Sequence, residues 1–255
     1  MKTKQLLLAL FALIVVAACT EQDGELPGTS PVNNIVDLKK NWQNSSLDND
    51  FFDQQAKVSH YNFEKRDINN ALRIRNVAAF RFVLGLVENE LQVVMVGVDE
   101  KGKEILKIFS NPYKGNAYKD AIRSLKESSF TYETERINHP VIGGHLLPYS
   151  KVYEYLHRWE TALPTKNIEE MISDEGIRYR YFTMKRELMM EMISKTQVSC
   201  IALFFGLNDR SELTTVFLQK DGLNQLILQN EKYPLKSGEA IDFIKPCPTD
   251  CGSIE

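Results

Sequence analysis

The sequence predicts an α+β fold built of antiparallel three-strand units, each entered by a helix, with further helices packed on them. Three observations carry this. Val77 to Ile108 and Val198 to Leu228 each read as three strands in a row, a helical stripe precedes each, and helical spacing recurs between them. The two strand units also match each other. Gly85 aligns with Gly206 at an offset of 121, which puts Val77 on Val198; one extra residue after the glycine then pairs Glu90 and Leu91 with Glu212 and Leu213. Parity agrees, because Phe80, Phe82, Leu84 and Leu86 share one strand face and Ile201, Leu203, Phe205 and Leu207 share the corresponding one. Lys65, Arg66, Asp67, Ile68 and Lys185, Arg186, Glu187, Leu188 lead into the two units. An internal repeat over 59–128 and 179–245 is therefore expected.

In chain order, Met1 to Lys4 is basic, Leu6 to Val16 is almost wholly apolar, and Ala17, Ala18 and Cys19 follow. That is the order of an export leader spanning 1–18. The apolar run is short for a bilayer-spanning helix, which needs about 20 residues. Val16, Ala17, Ala18, Cys19 resembles the lipobox of bacterial lipoproteins, and the resemblance implies that Cys19 is acylated, with palmitate among its chains, and becomes the first residue after cleavage. An uncleaved membrane helix and ordinary cleavage after Ala18 are the alternatives. Thr20 departs from the aspartate of an inner-membrane retention signal, and Glu21 and Asp23 resemble the acidic start of some surface-exported lipoproteins. The outer membrane is the expected site, its periplasmic or surface face left open.

Residues 19–34 are polar, with two prolines and two glycines, and read as a tether. The globular α+β region then runs from 35 to 255. Ile35 to Trp42 is expected as a short helix and Ser45 to Asp53 as a loop; Asp48, Asp50 and Asp53 lack the central glycine and distal glutamate of a calcium loop, so no metal is expected there. Glu64 to Asn76 is expected to be helical. Asp99 to Gly102 and Asp221–Gly222 are expected to turn on a glycine of positive φ, and Gly85 and Gly206 mark a bulge or a close backbone approach. Asn116 and Ser150 are expected to cap helices, the second stopped by Pro164. A short helix is expected between Asn167 and Gly176, a strand over Arg178 to Phe182, and a helix capped by Thr183 and running to Ile193, its methionines serving as core filler.

Bulk properties exclude some functions. The formal charge of -3 becomes -5 without Lys2 and Lys4, and no basic block interrupts the chain, so nucleic acid is not an expected partner. No nucleophile elbow, zinc helix, phosphate loop or Ser-x-x-Lys pair occurs, and no catalytic, cofactor or metal residue is assigned. His139, His145 and His157 cluster in sequence around Gly143 and Gly144 and define the alternative of an envelope enzyme. Glu133 and Glu135 alternate with Thr134 and Arg136 as on a solvated strand. Cys247 and Cys251 are the disulfide candidates in the tail 246–255; a local bridge, a bridge from either to Cys200, and two free thiols remain open, with Cys200 expected as a buried small hydrophobe.

Phe204, Phe205, Gly206, then Leu213 to Gly222, then Cys247 and Cys251 resemble a module of uncharacterised exported proteins and lipoproteins of Gram-negative bacteria. Its pattern is a helix, a strand ending in aromatic-Gly, a Val-x-Val-Asp-x-x-Gly hairpin and a Cys-Pro-x-x-Cys close. Here the hairpin motif, Val96, Gly97, Val98, Asp99 and Gly102, lies in the first unit, and the aromatics and cysteines lie in the second. The resemblance covers the two units and the tail, and it implies no activity. The functional expectation is a membrane-anchored binding or assembly module with an envelope protein partner; a structural accessory subunit of an envelope complex is the other non-catalytic alternative.

Overall fold

The computed structural model describes residues 35–116, 118–127, 137–228, 240–243 and 246–247. The leader, tether, Glu133, Glu135 and Cys251 lie outside these. Among the described residues no helix is long and apolar enough to cross a membrane.

The chain forms α1 (Ile35–Asn44), α2 (Asn49–Gln55), β1 (Val58–Glu64), α3 (Lys65–Leu72), β2 (Ala79–Val87), β3 (Glu90–Val98), β4 (Glu104–Phe109), β5 (Asn111–Lys114) and α4 (Lys119–Ser124). After 137 come α5 (Tyr149–Ala162), a small ribbon of β6 (Ser173–Asp174) and β7 (Ile177–Arg178), then β8 (Tyr181–Lys185) and α6 (Arg186–Ile193). The chain continues through β9 (Cys200–Leu207), β10 (Leu213–Lys220), β11 (Ala240–Phe243) and β12 (Pro246–Cys247). Two five-stranded antiparallel sheets result, β11-β10-β9-β1-β5 and β12-β8-β2-β3-β4.

Alternation explains how they pack. Phe80, Phe82, Leu84 and Leu86 of one sheet and Ile201, Leu203, Phe205 and Leu207 of the other all enter one shared core. Phe82 touches Phe63 at 5.4 Å and Phe217 at 4.8 Å between ring centroids, so the sheets face each other through aromatic side chains. Helices α3 and α6 add Ile68, Ala71, Leu188, Met189, Met192 and Ile193 to that core. The opposite face of β9 and β10 is covered by α5, whose Tyr149, Val152, Tyr155 and Leu156 meet Ala202, Phe204, Val216 and Leu218. Helix α1 lies on β2 and buries Ile35, Leu38 and Trp42, a stripe of helical spacing.

The strands are interlaced. β1 pairs with β9, and β8 pairs with β2, so each strand-helix element completes the sheet of the distant hairpin. The two junctions share a register: Tyr61 opposes Leu203 and Phe182 opposes Phe82, positions that exchange under the 121-residue offset. Lys65 N donates to Ser199 O at 2.9 Å, and Arg186 N donates to Ala78 O at 3.2 Å, which again exchange. The turns after β3 and β10 match bond for bond. Asp99 Oδ1 accepts from the amides of Lys101 and Lys103, and Asp221 Oδ1 from those of Leu223 and Gln225. At the sheet margins Pro112 opposes Tyr61 and Pro246 opposes Phe182, both on edge strands where a missing N–H leaves no ladder bond unmade. In both places the chain leaves the edge of one sheet and enters the edge of the other, β4 into β5 and β11 into β12.

Several expectations are corrected. Val198 to Leu228 yields two strands and an isolated bridge from Lys220 to Leu226 rather than three strands, and β11 takes the outer place beside β10. The positive φ after Asp221 falls on Asn224 at 63°, not on Gly222, whereas Gly102 at 77° is as expected. The aspartate loop is shorter than read, since Asp48 caps α2 by accepting from Phe51 N at 3.0 Å. Thr183 lies inside β8 and α6 starts at Arg186; Pro148 precedes α5, with Ser150 inside it; Tyr118 precedes α4. The helix expected before Gly176 is a turn leading to the β6–β7 ribbon, and helix α3 ends at Leu72 rather than Asn76. Neither in-strand glycine makes a bulge. A Cβ on Gly85 would stand 2.8 Å from Leu38 Cβ, and one on Gly206 would stand 3.0 Å from Tyr155 Cβ, so both admit a helix close to the sheet.

Candidate functional site

Among the described residues a cleft opens beside each of α5 and α1. The first, about 370 Å³, lies beside α5 and is lined by Lys57, Ser59, Tyr118, His157, Trp159 and Phe204 among others. The second, about 630 Å³, lies beside α1 and takes its walls from Lys39, Trp42, Arg81, Glu104, Arg178 and Arg180. Both fall in the size range of small-molecule sites. They occupy corresponding places, since Ser59 and Phe204 of the first stand 121 residues from Arg180 and Val83 of the second.

Behind the first cleft lies a polar knot closed from solvent. Lys220, fully buried at the end of β10, donates from Nζ to Asn62 Oδ1 at 2.9 Å and lies 3.3 Å from His60 Nε2. Tyr118 and Tyr113 flank the ammonium at 5.0 and 5.6 Å from their ring centroids, a cation–π cage. His60 is stacked between Tyr113 and Phe204. Burial, then the charge of Lys220, pushes its pKa down to about 3. Burial likewise lowers the Lys220 amine and pushes the Cys200 thiol up to about 11. Cys200 is a free thiol that donates to Asn62 Oδ1 at 3.4 Å, buried as expected. A neutral imidazole and an amide oxygen facing a desolvated amine satisfy one another, and the amine's zero exposure keeps it from presenting a nucleophile to the cleft.

The second cleft is electropositive. Arg178 is fixed: its guanidinium pairs with Glu169 through two bonds of 2.6 and 2.9 Å and donates to Trp42 O and Ser45 O at 2.6 and 2.8 Å. It thereby holds the carbonyl end of α1, where a cation is favourable. Arg81 stacks over Tyr181 at 4.6 Å and donates from Nη1 to Gly102 O at 3.3 Å; its Nε is buried with no hydrogen-bond partner among the described residues. Lys39 reaches Glu104 at 2.5 Å and Lys107 reaches it at 3.5 Å. Burial alone would raise the Glu104 carboxyl, but these two lysines outweigh it and hold the pKa below its usual value. Lys40 and Arg180 also line the cleft. Five cations thus line the cleft beside one carboxylate, Glu104, in a protein of formal charge -3.

The residues singled out from sequence fall elsewhere. His139 accepts from Val141 N at 3.3 Å, His145 closes a short 3₁₀ turn, and exposed His157 stacks on Tyr153 at 5.3 Å while lining the first cleft. No group of three or more metal-ligating side chains is assembled among the described residues. Cys247 lies in β12, and the pairing with Cys251 falls outside the described residues. His60, Lys220, Arg81 and Arg180 were missed. The available signal was a charged residue inside an apolar strand, Arg81 between Phe80 and Phe82, and Lys220 where the aligned first unit has Val98.

Comparison with protein families, curated proteins and solved structures finds no match to this chain.

Proposed function

We propose that the protein is an internally duplicated binding module, held at the cell envelope by a lipid on Cys19, that captures its ligand in the cleft beside α1. One observation carries the binding reading: a preformed 630 Å³ concavity whose wall concentrates cations on a rigid helix-on-sheet frame. The frame's two halves support the duplication, because the strand register, the turn hydrogen bonds and the edge prolines recur at matching places. The leader and the Cys19 motif support the anchor, with the outer membrane as the membrane concerned.

The test uses full-length protein released from membranes in mild detergent. Native mass spectrometry is expected to show lipid on Cys19 and a retained or readily reloaded small ligand. A chain that stays bare after incubation with envelope extract overturns the binding reading. Normal processing and carbonate-resistant membrane association of Cys19→Ser overturn the anchor.

A further inference from the structure

The duplicated frame supplies its own control for the arginines. Under the 121-residue offset Arg81 corresponds to Ala202 and Arg180 to Ser59, each in the same place between a helix and its sheet. The half with Ala202 and Ser59 closes its core with no guanidinium at either of these two places, its one helix arginine, Arg158, bonding instead to Asn208 O at 2.8 Å in the β9–β10 turn, so the fold does not require arginine at positions 81 and 180. Arginine in such half-buried places loses hydration and gains least when a donor is left unmatched, as Arg81 Nε is. Fixed, planar guanidinium groups are the donors that suit carboxylate and phosphate oxygens, and the lysines of α1 add charge from the facing wall.

We infer that the cleft beside α1 binds a small organic anion carrying at least two phosphate or carboxylate groups, with Arg81 and Arg180 as the specificity-determining donors. Arg81 is already oriented by Tyr181 and Gly102, and Arg178 by Glu169, so the wall is arranged before the ligand arrives. The volume of about 630 Å³ admits a molecule larger than a single inorganic ion. A second anionic group would face Lys39 and Lys40, where it competes with Glu104 for Lys39. The inference rests on the binding reading above and goes further by naming the ligand chemistry.

Calorimetric titration of the full-length protein at constant ionic strength, with pyrophosphate in one arm and tricarballylate in the other, tests it. One equivalent is expected to bind in at least one arm, and the preferred arm distinguishes phosphate from carboxylate ligands. Arg81→Gln and Arg180→Gln are each expected to weaken that binding tenfold or more, while Arg66→Gln at the exposed start of α3 leaves it unchanged. Unfolding midpoints of the variants check that they fold. Should Arg81→Gln be unstable, Arg81→Lys keeps the charge without the fork and is expected to lose most of the affinity. No binding in either arm at 10 mM probe, on the order of the weakest specific affinities, overturns the inference, as does equal binding by wild type and both glutamine variants. Should envelope extract load a ligand whose binding ignores both arginines, the inference fails and the binding reading stands.

Discussion

Replacing Gly85 by alanine tests whether the helix-on-sheet approach is as close as described. The added Cβ would stand 2.8 Å from Leu38 Cβ and 3.5 Å from Leu38 C, whereas carbon atoms rest at about 3.5–4.0 Å. Because the obstructing atom is itself a Cβ, no rotamer change removes it, and α1 must lift by about 0.7–1 Å. Overpacking of this kind costs about 1–3 kcal/mol, and the lower backbone entropy of alanine in the unfolded chain returns roughly 0.5–1. A net loss of roughly 0–2.5 kcal/mol is expected, read as a lower urea midpoint at unchanged slope. Gly206→Ala should do the same more mildly, its nearest atoms being Tyr155 Cβ at 3.0 Å and Tyr155 C at 3.2 Å. A double-mutant cycle sharpens the assay. Leu38→Ala keeps the obstructing Cβ and should give no relief, while Leu38→Gly should recover part of the strain term. A stabilising Gly85→Ala, or relief by Leu38→Ala, would refute the packing described. Since α1 also carries Lys39 and Lys40, the lifted helix should weaken anion binding in the cleft as well.

Three further outcomes are expected. His60 in the unfolded chain takes up its proton near 6.5 and in the folded protein only near 3, so the unfolded state holds more protons between those values; stability should drop as pH is lowered across that window, by up to about 1.4 kcal/mol per unit, and His60→Phe, read against wild type by denaturation at several pH values, should remove that share of the slope. Arg178→Met should cost about 2–4 kcal/mol, because Trp42 O and Ser45 O lose their donor and Glu169 loses its partner; a thermal midpoint within a degree of wild type would contradict it. For the tail, mass mapping of unreduced peptides should return Cys247 linked to Cys251, since the prolines on either side of Cys247 favour a small local ring; a linked Cys200 peptide, or two free tail thiols, ends that reading.

What could be read in the sequence was whatever local periodicity encodes. The strand faces at Phe80 to Leu86 and Ile201 to Leu207 were legible because a period of two survives any tertiary arrangement, and so was the extra residue near Ser211, whose φ of 62° now marks the longer β9–β10 turn. Which hairpin β1 would join was not legible. Tyr61 carries no local sign that it will oppose Leu203 rather than a strand of its own half. Boundaries failed where a side chain could serve two roles: Thr183 reads as a helix cap, yet strand pairing with Arg81 claims it. The cleft was least legible, because Arg81 and Arg178 meet from positions nearly a hundred residues apart and each looks alone like an ordinary surface cation.

The exchange of β1 and β8 between the hairpins sets an order of events for the chain. β1 cannot find its inner partner until β9 exists, and β2 waits in the same way for β8 on its free side, so neither half closes a sheet early. Such long-range pairing is the kind that slows folding. A chain emerging from its N-terminus would therefore leave β1 without its inner partner, and the shared core open, until β9 had appeared more than three quarters of the way along. For a protein whose leader directs it through a membrane before its anchor is attached, as proposed, this lateness is an advantage: the topology itself postpones the compact state that would obstruct passage.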